Sequence, residues 1–195
     1  MTPIRQRIRD ARGTALVEFS LVVPLVLVLV LGVVEVSYAL LDQHVVTKLT
    51  REGSNLISRN TSLLDAATAL RNMSSRPVDF TASARVILSV FKNVRTTGAA
   101  NFGKDVLYQR YEYGALSASS QLLTRGAGAF GAGPDFVAVN SDNDVSLQVT
   151  NLPPGVLAPG GLLYVTEIYS RHPLITPFDR FGVSVPGTLY SIAYF

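Results

Sequence analysis

The chain has no cysteine, so thiol catalysis and cysteine-based zinc, haem or iron–sulfur ligation are excluded and packing alone must hold the fold. Histidine is nearly as scarce. His44 and His172 stand far apart without a recognisable metal pair, which points to structural or solvent roles. Charge is also missing where a nucleic-acid binder would need it. Arg5, Arg7, Arg9 and Arg12 against Asp10 carry the whole formal charge of +3, and everything after Gly13 is formally neutral. No G-x-S-x-G elbow or comparable nucleophile context occurs, and no internal repeat is evident. The expectation is a protein that is no enzyme, carries no cofactor and binds no nucleic acid.

What the chain does have is apolar surface. Hydrophobic residues make up 48% of its 195 residues, high for a wholly soluble protein. Residues 19–34 (FSLVVPLVLVLVLGVV) are uncharged and span about 24 Å as a helix at ~1.5 Å per residue; continuing through Leu41 completes a crossing of a hydrocarbon core of roughly 30 Å. Glu18 lies near the inner end of this run and Glu35 near the outer. In lipid only a helix or a closed barrel satisfies the backbone, so abundant valine does not argue for a strand. Pro24 and Gly32 are points of weakness within the helix. The basic leader keeps the N-terminus in the cytoplasm and sends the rest across.

Two plain readings compete. A secretory signal peptide would use Ser37-Tyr38-Ala39 as a small-x-small cleavage site; a single-pass anchor would use the same span uncut. Neither explains Glu18, whose carboxylate is costly near lipid. The apolar pattern also continues past the span through Val45, Leu49, Leu56 and Ile57, interleaved with Asp42, Lys48, Arg51, Glu52 and Arg59. One long helix is therefore expected from about residue 14 to about residue 59, lipid-compatible first and amphipathic after.

These residues carry a family resemblance. Gly13, four residues, then Glu18 and Phe19 resemble the prepilin-peptidase signal G-x-x-x-x-E-[Y/F]. With Ala15, Val17, Pro24, Glu35 and Arg51-Glu52-Gly53, the segment is similar to TadE-like minor pilins or pseudopilins of the tight-adherence (Tad, type IVc/Flp) pilus. The C-terminal stretch Tyr164-Val-Thr-Glu-Ile-Tyr169 with Pro173-Leu-Ile-Thr-Pro177 resembles the same family more weakly. The resemblance implies cleavage between Gly13 and Thr14 by a prepilin peptidase at the inner membrane. It implies assembly with other pilins and a pilus assembly platform through the N-terminal helix in membrane lipid. Glu18 would pair with the new α-amino group of a neighbour's Thr14; otherwise it snorkels to the interface beside Arg12. The implied layout is leader 1–13, membrane and bundle helix 14–41, amphipathic continuation 42–60 and exported α+β domain 61–195. A membrane-anchored binding module outside the cell is the alternative.

In the exported part, Ser62-x-x-Asp65 ahead of an apolar run reads as a capped short helix ending near Arg76-Pro77. Residues 84–91 and 105–113 read as a hairpin joined through 98–103, and 144–150, 162–170 and 188–195 as further strands. An antiparallel sheet of four or five strands packed on the amphipathic half of the long helix is expected. Gly126-Ala-Gly128-Ala-Phe-Gly131 has G-x-G-x-x-G spacing but is followed by Gly133-Pro134, so it reads as a flexible loop rather than a dinucleotide cradle. Asp142 and Asp144 are weak candidates for calcium; without the remaining EF-hand positions they read as a polar turn.

Overall fold

The computed structural model describes residues 4–176 and 187–195, with side chains from Thr14 onward. The chain forms two compact units, Met1–Leu40 with Leu174–Val185, and Leu41–Pro173 with Pro186–Phe195. Helix α1, Ile4–Ser58, contributes to both. It begins ten residues before the expected start, because the Arg, Gln and Ala residues ahead of Gly13 are good helix formers and nothing breaks the chain at Gly13. Pro24 sits inside it without interrupting it.

In the second unit, α2 (Leu63–Met73) follows the expected cap: the Ser62 hydroxyl oxygen accepts from the Asp65 amide at 3.1 Å and Ser62 donates back to the Asp65 carboxylate at 2.7 Å. Four strands, β1 (Ala84–Asn93), β2 (Asp105–Gly114), β3 (Leu162–Arg171) and β4 (Thr188–Tyr194), form one antiparallel sheet in the order β2-β1-β3-β4. The fold is α+β. Strands β1 and β2 are the expected hairpin, with a register shift between Val90 and Phe91.

Residues 144–150 are a correction. Instead of a strand they form a 3-10 turn, Val145–Leu147, because Asp144 Oδ1 accepts from the Ser146 amide at 2.9 Å and its hydroxyl at 2.6 Å. A side chain that bonds its own backbone two residues on competes with a ladder. Only isolated bridges, Val106 to Gln148 and Thr124 to Val149, survive from that expectation.

Both sheet faces are covered, which is why β1 is buried along almost its whole length. One face, with Val86, Leu88, Val90 and Ile168, packs on Val46, Leu49 and Ile57 of α1 and on Leu63 and Leu70 of α2. Each fully buried Leu or Val there contributes about 1.5–3 kcal/mol. The other face, with Phe91, Leu163 and Val165, lies under Leu122, Ala138 and Leu147 from the long 115–161 connection. Glycines make that cover fit. A Cβ on Gly128, at φ +65°, would stand 2.2 Å from Leu147 Cδ2, so at Gly128 the Gly-rich stretch packs on the core.

The close approach of α1 to the sheet runs through Gly53. A Cβ there would lie 2.8 Å from Thr166 Cγ2 and 2.9 Å from Thr166 Oγ1 on β3. Gly53→Val should therefore force helix and sheet apart and destabilise the domain by about 1–3 kcal/mol or more, the usual range for overpacking. Urea unfolding in detergent, followed by tyrosine fluorescence, checks this; an unchanged midpoint would count against the close approach.

Candidate functional site

The candidate site is the surface of α1 and the contacts that leave it. Within the first unit, residues 14–34 present apolar side chains outward, Phe19 at 66% exposure and Leu25 at 63% among them. The helix described as Thr14–Ser58 is long and apolar enough to cross a membrane, with mean hydropathy 2.7 over its best window. Glu18 and Thr14 are exposed on it, and the Gly13–Thr14 bond lies within its helical backbone. Pro24 is also exposed.

Glu35 is the exception on this surface, at 2% exposure while Val36 beside it is 59% exposed. Its carboxylate accepts from the Ile175 amide at 3.2 and 3.3 Å, the Thr176 amide at 2.8 Å and the Thr176 hydroxyl at 2.6 Å. A carboxylate receiving backbone N–H and hydroxyl donors is stabilised where water is scarce. The sequence placed Glu35 at the outer end of the span, but nothing local to it signals donors 140 residues away.

In the second unit, the amphipathic part of α1 is fixed by polar as well as apolar contacts. Asp42 Oδ2 lies 2.7 Å from His172 Nδ1, Gln43 donates to the Tyr190 carbonyl at 3.0 Å and Ser54 to the Ala193 carbonyl at 3.0 Å. Of the two histidines expected in structural or solvent roles, His172 is buried against the helix and His44 is exposed. Of the R-E-G triplet, Gly53 makes the sheet contact and Arg51 and Glu52 face outward.

The remaining candidates are accounted for by internal bonding. Asp142 accepts from Lys92 Nζ at 2.8 Å and Thr96 Oγ1 at 2.6 Å, hydrogen bonds that hold its carboxyl below the usual range. Asp144 caps the 3-10 turn. Among the described residues no three His, Asp or Glu side chains gather to hold a metal.

One cluster escaped sequence reasoning. Glu167 of β3, fully buried, accepts from Ser120 Oγ, from the Gln121 amide at 2.8 Å and from the Tyr190 hydroxyl at 3.0 Å. Arg110 donates to Ser120 Oγ at 3.2 Å and Ser89 Oγ at 3.1 Å. Burial pulls the Arg110 guanidinium below its usual pKa, while Glu112 and Glu167 hold it up. The available signal was the alternation Val165, Glu167, Tyr169, which puts a carboxylate on the same face as core residues.

Among the described residues the geometry thus isolates one lipid-compatible helix, whose continuation packs on an α+β domain. Residues 13–55 match the model of the TadE-like protein family. The TadE-like segment begins at Gly13 and ends just past Gly53, so it contains Glu18, Phe19, Pro24, Glu35 and the R-E-G triplet. No curated protein and no solved structure matches the chain. A TadE-like segment on a single membrane-type helix fits a membrane protein associated with a Tad pilus.

Proposed function

We propose that this chain is a minor pilin or pseudopilin of a Tad/Flp-type pilus: a structural assembly protein without catalysis, cut by a prepilin peptidase between Gly13 and Thr14. The cut chain stays in the inner membrane, with its N-terminus cytoplasmic and its α+β domain outside. Through its N-terminal helix it bundles with other pilins on the assembly platform. The observation that carries this reading is the TadE-like match starting at Gly13 and following one exposed apolar helix. Orientation is supported by the arginines of the leader facing a formally neutral remainder.

The N-terminal residue of protein recovered from cell envelopes tests it. Cleavage predicts a chain starting at Thr14. Gly13→Leu should leave a precursor thirteen residues longer, because a side chain at that position keeps the backbone from closing on the peptidase. An intact Met1 in peptidase-competent cells, or a start after Ala39, would reject the assignment. External protease on spheroplasts should degrade the α+β domain; complete protection would reverse the topology.

A further inference from the structure

The outward apolar surface of α1 does not stop at Glu35. Val36, Tyr38, Leu40 and Leu41 are all exposed beyond it, and the next charge is Asp42. Residues 19–41 span about 35 Å at ~1.5 Å per residue, which matches a hydrocarbon core of roughly 30 Å with its boundary. Glu35 therefore lies about 9 Å inside the outer end of this surface. Tyr38, half exposed, sits where amphipathic aromatic rings favour the interface.

A carboxylate at that depth needs donors, and a backbone amide at that depth needs an acceptor. The first unit supplies both in one place. The amides of Ile175 and Thr176 and the Thr176 hydroxyl meet Glu35 at 2.6–3.3 Å, so residues 174–176 share its level along the helix. These residues suit lipid: Leu174 and Ile175 are apolar, Ile175 points outward at 55% exposure, and Thr176 spends its hydroxyl on Glu35. None of the three carries a charge. Ile175 is exposed at the level of Glu35, where Val34 and Val36 of the helix are exposed as well.

We propose that residues 174–176 form a second membrane contact, a short loop seated in the outer leaflet between acyl chains and head groups and tethered at that depth by Glu35. The occupant of the Ile175 face is lipid. The exchange is mutual: Glu35 satisfies amides that lipid would leave bare, and they satisfy a carboxylate that lipid would exclude. The stretch that follows β3 is thereby fastened to the bilayer at residues 174–176, an attachment besides α1. This rests on the membrane-spanning reading of α1.

The absence of cysteine makes the test direct. Ile175→Cys and Val26→Cys, each labelled with a polarity-sensitive fluorophore in the full chain, are placed in vesicles of phosphatidylethanolamine and phosphatidylglycerol. The vesicles carry a nitroxide either near the head group or near the acyl-chain end. At position 26 the deep quencher should act more strongly. At position 175 the shallow one should, with weak quenching by aqueous iodide. Adding Glu35→Leu or Thr176→Val should cost position 175 most of its lipid quenching and expose it to iodide, leaving position 26 unchanged. If position 26 is quenched by lipid while position 175 answers only to iodide, the second contact is refuted and the span stands. Lipid quenching at 175 that survives both tether variants refutes the role of Glu35. If position 26 is not quenched by lipid, the spanning reading itself fails.

Discussion

Replacing Glu167 with alanine should cost the α+β domain about 3–5 kcal/mol, the largest stability loss expected from any single change in it. The carboxylate is the common acceptor for the buried Ser120 hydroxyl, the Gln121 amide and the half-buried Tyr190 hydroxyl, and its removal leaves them without that acceptor beside a cavity. Arg110, itself desolvated, loses an anion that favours its charge. Glu167→Gln should lose less because it keeps the volume and one acceptor oxygen, but still lose something, since its amide group then donates where donors already crowd. Urea midpoints of the detergent-solubilised chain, read through tyrosine emission, rank the variants. Equal midpoints for wild type and Glu167→Ala would show that the cluster contributes nothing net.

The same cluster sets an alkaline limit. The pKa of Tyr190 is pushed well above its ordinary value, first by burial and then by the adjacent Glu167; Tyr169 and Tyr194 shift the same way, with burial the leading cause. A raised folded-state pKa means stability that is complete below the unfolded value of about 10 and is lost as pH climbs past it. The urea midpoint should therefore fall above about pH 10.

Local signals in the sequence were sufficient for local structure. Ser62 with Asp65 marked α2, and β-branched and aromatic runs marked all four strands. The failure at 144–150 was also local, since Val145, Leu147 and Val149 alternate like a strand while Asp144 bonds its own backbone. Contacts across the chain were not legible. Gly53 could be placed in a motif but not against Thr166, and Glu35 could be placed near the membrane boundary but not under Thr176. Nothing in the residue types specifies partners more than a hundred positions away. The likeness to the TadE-like family was legible for the opposite reason: Gly13, Glu18, Phe19 and the apolar run lie in one contiguous segment, where spacing along a helix is itself the information.

Glu18→Ala is expected to abolish pilus assembly while leaving membrane insertion intact or improved. Insertion should not suffer because the change removes a charge from the end of an apolar segment. Assembly should fail because, on the proposed mechanism, the Glu18 carboxylate pairs with the α-amino group created at Thr14 of a neighbouring subunit. In a bundle of apolar helices that amine, left without its anion, would cost about 3–5 kcal/mol, enough to set the helices out of register. Exposure of Glu18 and Phe19 on α1 leaves both open to a neighbour. Glu18→Gln separates charge from shape: hydrogen bonding to an ammonium persists but the attraction between opposite charges is gone, so piliation should be reduced as well. Counting pili by electron microscopy, alongside the N-terminal residue and membrane content of each variant, distinguishes assembly from export and cleavage. If both variants are inserted, cut before Thr14 and piliated at wild-type levels, Glu18 does no more than snorkel to the interface, and the pairing mechanism is wrong.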